Sequence, residues 1–190
     1  IIASNAGNAV IAHTDGPEGI NKNGHGEVFD VDSQMRMSAT FGAHLAGDPR
    51  LSVLFAPGNS NAAGEIIGMP NGRTSDDYTG ADGQTYAGIA DRHIYAQTHP
   101  ALRKKDVPMV LLTTAEVHFL IGEAIIRGWV SGDAKTYYDA GVTAAMTMLA
   151  DFYPGSTPIA QADIDAFLAG PGAYDSSKGW EMLMNEYWKA

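Results

Sequence analysis

Residues 108–150 read PMVLLTTAEVHFLIGEAIIRGWVSGDAKTYYDAGVTAAMTMLA, and their pattern predicts two helices joined by a short glycine-containing turn. Thr113 followed by Glu116 is a capping box, in which the hydroxyl accepts an early backbone N–H and the carboxylate reaches back to the cap. Val117, Leu120, Ile121, Ala124 and Ile125 recur at helical spacing and are expected to form one apolar stripe. Gly128 is placed to end the helix in the left-handed region. Asp133, or Ser131, is positioned to cap the second helix, whose inner side is read as Tyr137, Gly141, Ala144, Ala145, Met148 and Leu149. Gly141 costs roughly 1 kcal/mol in a helix interior relative to alanine, which implies close approach of a neighbouring helix. Gly122 and Ala124 are read as the matching small surface.

Outward from that hairpin, residues 161–169 predict a third helix with Ile164, Phe167 and Leu168 on one side. A fourth starts near Ser176 or Ser177, and Trp180, Tyr187 and Trp188, seven and eight residues apart, are read as its core face. Upstream, Asp32 or Ser33 would cap a helix running to about Ala46 with Met35, Ala39 and Leu45 inward. Asp48-Pro49-Arg50 then makes a sharp turn, because proline cannot continue a helix. Residues 51–55 look β-like, and residues 1–30 look irregular apart from a short ordered piece at 9–12. Residues 56–99 hold seven glycines and few periodic hydrophobics, so long loops are expected there.

A chain of 190 residues suffices for one core. Its formal net charge of −10 argues against nucleic-acid binding, since little here would neutralise phosphates. No apolar run is long enough to span a membrane as a helix. Cysteine is absent, which removes disulfides and thiolate metal sites. The six histidines lack zinc spacing, and Asp30 and Asp32 begin a calcium-like loop that lacks its glycine and terminal glutamate, so no metal and no cofactor is assigned. Glu116 and Glu123 share a helix side like a glycosidase acid pair. Glu116 is accounted for as a cap and Glu123 by Arg127 at i+4, so no catalytic residue is assigned.

Five segments together resemble a known family. LTTAEVHFLIGEAIIRGW at 112–129 is similar to a characteristic helix of SusD-like (SusD/RagB) proteins, and residues 132–142 resemble that family's next helix. LAGDPRL at 45–51 resembles its "DPRL" turn, followed by a Pro/Gly-rich loop comparable to GMPNG at 68–72. IDAFLAG at 164–170 and WEMLMNEYWKA at 180–190 complete the series, so that the likeness covers residues 35–190. The resemblance implies a mainly α fold of tetratricopeptide-like helical hairpins under long irregular loops, with a few short strands. It implies that residues 1–190 are the C-terminal portion of a single domain. Within it, 35–112 would be the loop-rich ligand side, with its helix and DPRL turn, and 113–190 the hairpins. It implies a surface lipoprotein of the outer membrane, not an enzyme, that binds oligo- or polysaccharide and delivers it to a SusC-like TonB-dependent transporter. The lipid anchor, the N-terminal hairpins and the C-terminal segment of such proteins have no counterpart in this sequence.

Sugar recognition needs flat aromatic surfaces and planar polar groups. The loop residues Asn71, Arg73, Asp77, Tyr78, Tyr86, Arg92 and Tyr95 supply both, with Asp76 beside them, and are the candidate ligand contacts. The structural alternative is that these tyrosines pin the loops to the helices. The alternative function is a helical-repeat scaffold for protein–protein contact with no small ligand of its own.

Overall fold

The chain runs β1 (Ala9–Ile11), α1 (Gly24–Val31), α2 (Ala39–His44), α3 (Leu51–Leu54), β2 (Phe55–Ala56), β3 (Tyr78–Thr79), β4 (Thr85–Tyr86), β5 (Gln97–Thr98), β6 (Met109–Leu112), α4 (Thr114–Ile126), α5 (Ala134–Phe152), α6 (Gln161–Ala169) and α7 (Gly179–Lys189). This computed structural model describes residues 2–16, 21–31, 35–74, 76–79, 83–86, 88–89 and 91–190. Its architecture is mainly α, as the sequence implies. The strands form three antiparallel pairs, β1 with β6, β2 with β5 and β3 with β4.

The capping box is present in full. The Glu116 N–H donates to the Thr113 hydroxyl at 3.0 Å and the Thr113 N–H to the Glu116 carboxylate at 2.7 Å. Gly128 closes α4 with φ +71°, and Asp133 caps α5 by accepting the N–H groups of Lys135 and Thr136. The hairpin faces differ from the sequence expectation. In α4 the buried side is Thr114, Ala115, Phe119 and Gly122, whereas Leu120 is exposed; in α5 Tyr138, not Tyr137, turns inward. Small residues do not meet small residues. Gly141 receives the edge of the Phe119 ring, and Gly122 receives Leu183 from α7. The core that results joins Phe119, Tyr138, Val142, Met146, Phe167 and Leu183.

Helix α7 also corrects the sequence reading. Its buried side is Leu183 and Glu186, while Trp180, Tyr187 and Trp188 stay substantially exposed. Trp188 lies against the ring edges of Phe41 and His44. A buried glutamate takes the place of an apolar position, which is why the aromatics looked like the inner stripe. Three further corrections apply upstream. Residues 24–31 are helical, residues 51–54 form one helical turn before the strand at Phe55, and the helix before the DPRL turn is only Ala39–His44, capped by Ser38. Asp32 and Ser33 lie outside the described residues.

Glu186 is buried because it has a cation. Arg50 is 1% exposed, and its Nη2 donates to Asp48 Oδ2 at 2.5 Å and Glu186 Oε2 at 2.6 Å. Its Nε donates to both Asp48 oxygens, and Lys189 Nζ donates to Glu186 Oε1 at 2.5 Å. Two cations thus face two carboxylates, with the Phe167 ring 5.9 Å from the guanidinium and 5.8 Å from the ammonium. Burial disfavours the Arg50 charge, but the Asp48 hydrogen bond and the charges of Glu186 and Asp48 outweigh it and hold the group above its ordinary pKa.

Removing one member of such a cluster leaves an uncompensated buried charge, a loss of about 3–5 kcal/mol. Arg50→Met should therefore lower the thermal midpoint by roughly 10 °C, read by circular dichroism, and a shift below about 2 °C would contradict the assignment. Gly141→Ala tests the hairpin seam. Its Cβ would lie 2.4 Å from Phe119 Cε1. The helix-propensity gain of about 1 kcal/mol is outweighed by overpacking of about 1–3 kcal/mol. The variant should be less stable in urea titrations, and Phe119→Leu in the same chain should restore part of the loss.

Candidate functional site

The loop-rich segment is stitched together by backbone hydrogen bonds between distant residues. The Met37 N–H donates to Ala96 C=O at 2.9 Å, Met69 N–H to Met37 C=O at 2.7 Å, Ala39 N–H to Met69 C=O at 2.8 Å and Ala96 N–H to Ile67 C=O at 2.8 Å. Glycine permits this closeness at two positions. A Cβ on Gly68 would lie 2.5 Å from Ala39 Cα, and one on Gly58 2.2 Å from the His93 carbonyl oxygen. Further out, Ile89 N–H donates to Thr74 C=O at 2.8 Å, below the pairing of Tyr78 with Tyr86 in β3 and β4.

Between these layers lies a cleft of about 460 Å³, lined by Met69, Arg73, Thr74, Ile89, Asp91, Arg92 and His93. The Asp91 carboxylate accepts the His93 N–H at 2.8 Å and caps the short 3-10 helix Arg92–Ile94. Arg36 fastens that helix from behind, with Nε donating to the Arg92 carbonyl at 3.1 Å and Nη2 lying 3.0 Å from His93 Nδ1. The cleft thus presents two guanidinium groups, a carboxylate and an imidazole beside the apolar Met69 and Ile89. Planar donors and acceptors next to an apolar floor can hold a polyhydroxylated ring through paired hydrogen bonds.

Of the sequence-selected residues, Arg73 and Arg92 come together in this cleft. Asn71 sits in the turn at its edge, its amide donating to the Thr40 hydroxyl at 3.3 Å. Asp77 is exposed and accepts the Gly88 N–H at 2.7 Å, a bond across the open end of the β3–β4 pair. Asp76 is exposed, and its carbonyl accepts from the Thr74 hydroxyl. Tyr95 is half-buried at the end of the 3-10 helix and does not line the cleft. The backbones of Tyr78 and Tyr86 pair, but their side chains lie outside the described residues. Sequence reasoning passed over Arg36, Asp91 and His93. The Asp-x-His spacing of a side-chain cap was the one local signal available for the last two. Arg36 had none, because the cleft residues it braces, Arg92 and His93, are more than fifty residues away.

A second, larger cleft of about 630 Å³ lies between α1 and β6, lined by Val28, Phe29, Leu102, Val107, Met109 and Tyr153 among others. Burial pushes the Tyr153 hydroxyl pKa up. This cleft offers mainly apolar surface. No helix among the described residues is long and apolar enough to cross a membrane.

Residues 1–190 match the family model for SusD-like proteins, described as starch-binding, associating with outer membrane. Among solved structures, the chain superposes on a chitin-binding protein with TM-score 0.79 and 26% identity, covering 99% of this chain and 40% of the other. A Bacteroidetes SusD-like protein matches with TM-score 0.75 and 21% identity, over 99% of this chain and 48% of that one. A SusD homolog from Bacteroides vulgatus gives TM-score 0.67 and 23% identity, over 100% and 40%. The chain therefore spans between 40% and 48% of the length of these three structures. No curated protein sequence matches it significantly. With the family matched from its first residue to its last and the helical fold shared with these structures, the chain belongs to the SusD-like family.

Proposed function

We propose that this chain contributes the ligand-side loops and helical scaffold of a cell-surface protein that captures oligo- or polysaccharide without chemistry and hands it to a SusC-like TonB-dependent transporter. The observation that carries the reading is the cleft at Arg73, Arg92, Asp91 and His93. Its planar polar groups are held on backbone stitched to α2 and fixed from behind by Arg36. A lipid anchor to the outer membrane, the transporter contact and the placement of these residues as the C-terminal part of one domain complete the proposal. The family description and the chitin-binding relative support a carbohydrate as ligand.

The scaffold alternative draws on a different feature. The β1–β6 ribbon exposes Val10, Ile11, Met109, Leu111 and Leu112, an apolar surface of the kind that marks protein contacts. Hand-over to a transporter needs such a contact, so the ribbon and the cleft fit one function.

The test is calorimetry of the whole protein against paired ligands, maltotriose and amylopectin for α-glucans, chitotriose and glycol chitin for the chitin series. At least one pair should bind. Each of Arg73→Ala and Arg92→Ala should weaken trisaccharide binding by about tenfold or more, the worth of one charge-assisted hydrogen bond. Silence of the wild type across the panel, or binding untouched in both variants, would overturn the cleft assignment.

A further inference from the structure

At the far end of α4 from the capping box, the helix closes with a pair of reversed backbone bonds. The Gly128 N–H donates to the Ile125 carbonyl and the Trp129 N–H to the Ala124 carbonyl, both at 2.9 Å. That double closure fixes the backbone of Trp129, yet the residue is 70% exposed, the most exposed large hydrophobic residue among those described. Gly179 at the start of α7 packs against Ile126 and Tyr174, which brings Trp180, 41% exposed, alongside. Arg127 lies between the two indoles, its guanidinium carbon 5.1 Å from the Trp129 ring centre and 4.4 Å from that of Trp180. Its Nε donates to Glu123 Oε1 at 2.7 Å. The Nη groups and Glu123 Oε2 make no further hydrogen bond among the described residues, and the arginine side chain is 41% exposed.

We propose that the Trp129–Arg127–Trp180 stack is a second carbohydrate platform, distinct from the loop cleft, that holds one ring of a long glycan chain. The indole of Trp129 supplies a flat face for sugar C–H groups. Beside the ring, the guanidinium donors and the carboxylate oxygen left over from the Arg127–Glu123 bond form a donor–acceptor pair, the complement of two neighbouring hydroxyls. Stacking against both indoles and the bond to Glu123 hold the guanidinium in place, so little freedom is lost when a ring docks. The platform is shallow and open, which suits one residue of a polymer better than a small ligand needing enclosure. A polymer touching cleft and platform together gains avidity that a trisaccharide cannot.

This inference rests on the carbohydrate reading, and its test separates the two. Retention of the whole protein in native gels cast with the polymer of the positive pair is compared with calorimetry on the matching trisaccharide. Trp129→Ala should lower retention by about tenfold or more while trisaccharide affinity stays at the wild-type value. Arg127→Met keeps the stem between the rings and removes only the polar edge, so it should retain the wild-type melting temperature and also lower retention. It decides the matter if Trp129→Ala fails to fold. Wild-type retention in Arg127→Met, with the trisaccharide still bound, overturns the platform and leaves the cleft standing. A wild type that binds neither polymer nor trisaccharide overturns both.

Discussion

A guanidinium taken out of water must bring its counter-charges with it, and Arg50 does so across 136 residues of chain. Asp48 is its local partner, supplied by the turn that Pro49 forces. Glu186 is its distant one, supplied by α7. The pair of carboxylates would repel if Arg50 were absent, and Lys189 balances the charge that remains. The cluster ties the loop-bearing half of the chain to the helical half at one point, and Phe167 of α6 lies beneath both cations. Hydrophobic burial alone would not fix that junction so narrowly, because apolar surfaces tolerate sliding whereas a chelated guanidinium has one geometry.

The local grammar of the hairpin was legible from its residues. A capping box, a glycine in the left-handed region and an aspartate cap act within four residues of themselves, and each formed where the sequence placed it. The faces of the helices were less so. In α4 the apolar residues run most of the way round, so periodicity could not choose between Leu120 and Phe119; contact with Gly141 did. In α7 the buried stripe contains Glu186, a residue that reads as solvent-facing until Arg50 is placed beside it. The three exposed aromatics then took the place of the core in the sequence pattern. Both errors arise where a partner remote in sequence decides the outcome.

The site shows the same division. Arg73 and Arg92 could be selected as planar hydrogen-bonding residues on loops, and they share a cleft. What could not be read is the frame that unites them. Nearly all of it is main chain: Met37, Met69 and Ala96 bond to one another without the length or alternation of a strand. Such bonds leave no side-chain signature. Their one trace is glycine at Gly58 and Gly68, where any side chain would collide with the crossing backbone.

That frame bears directly on how the cleft can work. A loop ordered only when a ligand arrives spends binding energy on its own immobilisation, of the order of 1 kcal/mol for each side chain fixed. Here the 3-10 helix carrying Arg92 is already capped by Asp91, braced by Arg36 and joined through Gly58 and Ser60 to the β2 side of the molecule. The backbone that carries these polar groups is therefore set before any ligand comes. Their hold on it then depends on spacing and orientation, which the backbone fixes, more than on the net charge of a chain that is otherwise acidic. Position, carried from the buried Arg50 junction outward through main-chain bonds, is what this scaffold supplies to its loops.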